Sequence, residues 1–168
     1  MKYICGKEEK RFTSLAYHSL RSLVLLALVV SLFSCVAQTD LMIASSKGNY
    51  DTVQSLLDQG VNVNKRNIDG WTALFFASYS GHTDIVKALL DRGADVNVGS
   101  TTGYTALMAA SYTGQIETVE LLIARGADVN AIESNNKTAL DYAEQENRAE
   151  VMNILMRAGA RKGAELLK

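Results

Sequence analysis

From residue 41 onward the apolar positions of the chain recur every 33 residues. Leu41, Leu74, Leu107 and Leu140 fall in register, as do Ala44, Ala77, Ala110 and Ala143. Val53, Val86, Val119 and Met152 follow, then Leu56, Leu89, Leu122 and Leu155. Glycine keeps the same phase at Gly48, Gly81 and Gly114, with Asn147 in fourth place, and again at Gly60, Gly93, Gly126 and Gly159. A period of this length marks a stack of similar units. Each is too small to bury its own apolar face, so stability comes from neighbouring interfaces and needs about three units.

Inside a unit the spacing predicts two short helices. Thr105 to Tyr112 is apolar and stops at Gly114; Glu117 to Ile123 then places Val119, Leu122 and Ile123 on one helical face and ends before Gly126. A glycine just past a helix end takes the left-handed conformation without a Cβ clash. Asn at 147, and at 136 in the turn column Gly70, Gly103, Asn136, is the substitute that tolerates this conformation best. Thr72, Thr105 and Thr138 stand where N-caps belong, and Thr138 with Asp141 approximates a capping box. A helix pair at 40–60 precedes the three full units.

Residues 1–37 lie outside the period. Lys2, Lys7, Lys10, Arg11 and Arg21 outnumber Glu8 and Glu9, and an uncharged run from Ser22 to Ala37 follows. A basic stretch, a short apolar run and small residues form the layout of a secretory signal. The run is shorter than the roughly 20 residues that span a bilayer comfortably. Two processing readings stay open. Leu32-Phe33-Ser34-Cys35 resembles a bacterial lipoprotein box, with Cys35 as the lipidated residue and Phe33 as the departure from the pattern; cleavage after Ala37 would instead give a soluble product. In either case the basic end stays cytoplasmic and everything after residue 37 is expected to be extracytoplasmic, periplasmic or held at the membrane by lipid.

Composition changes this picture in two ways. The 168 residues carry 17 Lys and Arg against 18 Asp and Glu, a balance that argues against nucleic acid as a partner. Cleavage would also remove Cys5 and His18, leaving His82 and at most Cys35, too few for a Cys–His zinc site or an internal disulfide. No cofactor or metal is expected.

The repeated residues resemble the ankyrin repeat. Gly70-Trp71-Thr72-Ala73-Leu74, Gly81-His82, Ile85-Val86, Leu89-Leu90 and Gly93-Ala94-Asp95-Val96-Asn97 carry the family pattern, and Gly114-Gln115 with Gly126-Ala127-Asp128-Val129-Asn130 repeat it. Ala73, Ala106 and Ala139 replace the family's proline, which gives up a preset φ for a good helix former. The resemblance implies an all-α solenoid of paired antiparallel helices joined by hairpin-like fingers, behind an N-terminal signal helix. Its expected divisions are an export segment at 1–37 and a repeat domain at 38–162. The domain comprises an N-terminal cap at 38–66 and repeats at 67–99, 100–132 and 133–162. A tail at 163–168 either extends the cap or frays.

The resemblance also places the binding surface on the concave side, at the finger tips and the solvent face of each first helix. Those positions hold Lys65, Arg66 and Asp69 in one finger, Ser100, Thr101 and Thr102 in the next, and Ile132, Glu133 and Asn135 in the third. On the first helices they hold Trp71, Tyr104 and Lys137, then Tyr79, Tyr112 and Gln145. Trp71, Tyr79, Tyr104 and Tyr112 would form an aromatic patch for a protein partner, with Lys65 and Arg66 fringing it for an acidic one. The competing readings are packing between repeats, with the hydroxyls in water, and a small-molecule site. Phe75, Phe76 and Met108 are assigned to core or inner-face packing and His82 to structure. Asp95, Asn97, Asp128 and Asn130 are assigned to hydrogen bonds within their own loops.

No Gly-rich phosphate loop, Ser-His-Asp set or metal-ligand spacing appears, so an enzyme is the remote alternative. The expected function is a non-catalytic interaction module. The nearer alternative is an inhibitor or immunity-type protein that neutralises one envelope enzyme or toxin; fold alone does not separate the two.

Overall fold

The computed structural model describes residues 40–168. The export segment, with Cys5 and Cys35, lies outside the described residues. Helix α1 covers 40–47. It is followed by α2 (Tyr50–Asp58), α3 (Ala73–Ser80), α4 (Thr83–Asp91), α5 (Ala106–Thr113), α6 (Ile116–Ala124), α7 (Ala139–Gln145), α8 (Ala149–Arg157) and α9 (Gly163–Leu166). The helix pair expected at 40–60 and the two helices expected in each unit are present, with ends shifted by about a residue. Among the described residues there is no strand beyond an isolated bridge between Gly99 and Thr105. Nor is any helix there long and apolar enough to cross a membrane.

Local chemistry sets the helix ends. Thr72, Thr105 and Thr138 are extended, and each hydroxyl accepts the backbone N–H three residues on. The Asp141 carboxylate returns the bond to the Thr138 N–H at 2.8 Å, completing the expected capping box. Asn136, in the turn before α7, and Asn147, just past its end, have φ of 61° and 54°, the only positive values outside glycine among the described residues. Those are the two positions where the glycine columns switch to Asn.

The helices stack in two layers. The first helices α3, α5 and α7 pack side by side, the second helices α2, α4, α6 and α8 form the other row, and each pair closes on itself. Between the rows runs one apolar core built from the repeating columns: Leu41, Leu74, Leu107 and Leu140 are buried, as are Val53, Val86 and Val119. Met152, the fourth member of the valine column, is only partly buried. Thr83 and Thr118 join α4 to α6 by a hydroxyl–hydroxyl bond of 2.8 Å.

The columns also fit each other across repeats. A Cβ on Gly48 would come within 2.7 Å of the His82 ring, and one on Gly81 would collide with the Gln115 side-chain amide. His82 Nε2 donates to the Ser46 carbonyl at 3.2 Å, and the next-but-one member of its column, Arg148, donates to the Tyr112 carbonyl at 3.2 Å. His82 is thus a brace onto the preceding unit.

The loops that follow the second helices correct one expectation. Asp95 and Asp128 do close their own loops, accepting the N–H of Asn97 and Asn130 at 2.9 Å. Asn97 and Asn130 instead reach out of theirs. Asn97 donates to the Gly126 carbonyl and accepts the Asp128 N–H, and Asn130 does the same with Gly159 and Arg161. Asn64 repeats the pattern one unit earlier with Gly93 and Asp95. The Asn stands two positions after the Asp, and its amide serves the next unit while the Asp serves its own.

The final residues form α9, drawn in by Asp141, whose carboxylate takes the Gly163 N–H at 2.8 Å. Burial alone would raise the Asp141 pKa, but the bonds from Gly163 and Thr138 outweigh it and hold the carboxyl below its ordinary value.

Candidate functional site

The solvent side of the first helices carries a continuous run of rings. Phe75 and Tyr79 stand four apart on one face of α3, and Trp71, just before the Thr72 N-cap, packs onto the same side. Trp71 and Phe75 stack with centroids 3.9 Å apart, and Phe75 and Tyr79 lie 6.1 Å apart in nearly parallel planes. Trp71 meets Tyr104 of the next unit edge-on at 5.8 Å. Tyr104 meets Tyr142 at 4.9 Å, and Tyr142 meets Tyr112 at 6.2 Å, both edge-to-face. Such geometries suit the ring quadrupoles.

The four aromatics singled out from the sequence therefore share one surface, but two unnominated rings complete it. Phe75 bridges Trp71 to Tyr79, and Tyr142 bridges Tyr104 to Tyr112. Sequence reasoning assigns Phe75 to packing and passes over Tyr142. The signal that finds Phe75 is the helical interval, since it stands midway between Trp71 and Tyr79; Tyr142 shares its column with Phe76, assigned to packing, and only its contacts across repeats place it here. Met108, in the column of Phe75, is 1% exposed and belongs to the core as expected.

Exposure varies along the run. Tyr79 is 46% exposed, whereas Tyr104 packs partly into the core and places its hydroxyl 3.5 Å from the Met108 carbonyl. Burial above all, then the neighbouring tyrosines and Glu133, raises the Tyr104 pKa far above its ordinary value. Tyr142 is pushed up to about 12, by burial first and then by the Glu133 carboxylate. Both phenols stay neutral at physiological pH.

The basic fringe divides. Lys65 is exposed at the first finger. Arg66 turns its guanidinium back on the protein, donating from Nε to the Gly70 carbonyl at 3.1 Å and from Nη2 to the Gly99 carbonyl at 2.7 Å. It ties the first finger to the second. Backbone bonds continue the tie, Thr101 N–H to the Asp69 carbonyl and Ser134 N–H to the Thr102 carbonyl. Lys137 and Gln145, where the two aromatic columns turn polar, bond to each other at 2.6 Å, and the Lys137 ammonium stands 5.2 Å from the Tyr142 ring centre. Among the described residues no group of His, Cys, Asp and Glu converges as metal ligands do.

No curated protein matches the chain. The family model described as ankyrin repeats (3 copies) matches residues 41–133 and 97–165, which together take in every repeat column and the ring-bearing helices. By that match the chain belongs to the ankyrin-repeat family.

Proposed function

We propose that this protein binds a partner protein through the concave face of its repeats, at the surface formed by Trp71, Phe75, Tyr79, Tyr104, Tyr112 and Tyr142. Ankyrin repeats are protein-interaction modules and in general non-catalytic. The observation that carries the reading is the unbroken ring contact across three repeats, at centroid spacings of 3.9 to 6.2 Å. Rigid amphipathic rings bury much area at little entropic cost, which makes them effective anchors. Lys65 remains the free basic neighbour of this surface, while Arg66 serves the fingers.

The proposal includes the site of action. The basic, then apolar, then small-residue order of residues 1–37 supports export across a bacterial cytoplasmic membrane, and the Leu32–Cys35 box supports lipid attachment at Cys35. The repeat domain at 38–162 would then work in the periplasm or at the membrane surface.

Capture by crosslinking from envelope extract tests the face. Wild type is expected to retain a protein that a folded Tyr79→Ala/Tyr112→Ala variant loses. Equal capture by both would reduce the rings to packing. One tightly held partner would favour the inhibitor form of the function, several weak ones a scaffold. For the anchor, Cys35→Ala should abolish lipid labelling; an unchanged mature mass would remove the lipoprotein reading.

A further inference from the structure

One finger departs from the other two. Asn67, Ser100 and Glu133 share a repeat position, and each N–H bonds the carbonyl four residues on. Asn67 Oδ1 also accepts the N–H groups of Asp69 and Trp71, and Ser100 Oγ those of Thr102 and Tyr104. These short side chains close their turns. Glu133 is longer, and its Oε2 accepts instead from the Ser134 hydroxyl and the Asn135 side-chain amide. The residue is 4% exposed, and Oε1 is buried without a hydrogen-bond partner among the described residues. A buried carboxylate short of donors is costly even with the Tyr142 hydroxyl nearby, so a turn alone gives no reason for a glutamate here.

Its surroundings are the tyrosine end of the ring surface. The Glu133 charge acts on both Tyr104 and Tyr142, contributing to the raised pKa of each. The Lys137 ammonium stands 5.2 Å from the Tyr142 ring centre, so this end of the ring surface already attracts one cation. Ring faces attract ammonium and guanidinium groups, and a desolvated carboxylate beside them adds the opposite charge. The described residues carry 12 basic and 16 acidic side chains, a net −4 that draws basic segments from a distance.

We infer that the surface around Tyr104, Tyr112 and Tyr142, with the Glu133 carboxylate beside it, receives a lysine or arginine side chain from a basic segment of the partner protein. This rests on the partner-binding reading above and deepens it. It also reverses the charge expected from the sequence, because the Arg66 guanidinium is engaged by two carbonyls and the buried, incompletely bonded charge is acidic.

The test uses the full-length chain in neutral detergent and fluorescently labelled hexalysine, hexa-arginine and hexaglutamate peptides, read by anisotropy. The basic peptides should bind and the acidic one should not. Glu133→Gln, which keeps the volume and loses the charge, should weaken basic-peptide binding by about tenfold or more. Glu150→Gln, an equal change of net charge at an exposed position of α8, should change it by less than about twofold. Equal weakening in the two variants would show nonspecific attraction and overturn the inference, as would failure of wild type to bind either basic peptide. A second readout does not depend on the variant folding: in wild type labelled at tyrosine, hexa-arginine should shift the ring resonances of Tyr104 and Tyr142, and shifts confined to Tyr50 would overturn the inference. The two levels separate cleanly. Peptide binding indifferent to Glu133, with partner capture still lost in Tyr79→Ala/Tyr112→Ala, removes only the cation. Glu133-dependent peptide binding with capture unaffected by the tyrosines keeps the cation site and removes the larger face.

Discussion

The side-chain amide of Asn97 is fastened to the loop of the next repeat at Asp128, whose N–H it binds at 2.8 Å. Its amide nitrogen donates at the same time to the Gly126 carbonyl at 3.2 Å. One residue thus satisfies a donor and an acceptor about thirty positions away. Asn64 and Asn130 repeat the arrangement, so every junction from the first finger to α9 has such a staple.

Asn97→Ala should therefore weaken the coupling between repeats. Two hydrogen bonds are lost at an exposed site where water replaces them in part, so the expected cost is about 1 to 2 kcal/mol. Urea unfolding measures it. An unchanged midpoint would mean that water serves these groups equally well.

Gly93 isolates the cost of a left-handed backbone, because its φ is +83° and a Cβ there would meet nothing within 4 Å. Gly93→Val should lose more than about 1 kcal/mol, and Gly93→Asn clearly less, as the native Asn136 and Asn147 suggest. Equal losses for Val and Asn would show that something other than φ governs the position.

Ser45, Ser78 and Ser111 form a column of fully buried hydroxyls with no partner among the described residues. Ser78→Ala removes an unpaired polar atom and adds a better helix former, so stability should rise by about 1 kcal/mol. A fall in the thermal midpoint would reveal a hydrogen bond that the hydroxyl makes in solution.

Alkaline pH should act through the ring surface. Tyr104 and Tyr142 have pKa values raised from the ordinary 10.0, the latter to about 12, so the folded state keeps protons that the unfolded chain releases. Their contribution to stability is intact below about pH 10 and is lost as pH rises through about 12. Denaturant midpoints should fall across that window. Phenolate absorbance of the folded protein should show two tyrosines ionising late, and simultaneous ionisation of all exposed and buried tyrosines near 10 would contradict the burial.

Much of this was legible in residue spacing. The 33-residue period yields the helix pairs, the core columns and the turns, because a repeat fold asks the same backbone of each unit and so asks for the same residue types. Gly-to-Asn exchange at 136 and 147 was readable for the same reason: φ is a local property, and few residues accept a positive one.

Contacts between units were a different matter. Nothing in the one-dimensional pattern says whether Asn97 bonds its own loop or the next, or that the Arg66 guanidinium turns inward to the Gly99 carbonyl. Tyr142 joined the ring surface only when stacking brought neighbouring first helices within side-chain reach. The sequence alone determined the unit, its caps and its buried columns, since these follow from local backbone preference and helical period. Tertiary structure decided which exposed rings touch and that the third finger holds a buried carboxylate oxygen without a donor. Those outcomes depend on distances between residues about 30 apart, which arise only when one repeat packs on the next.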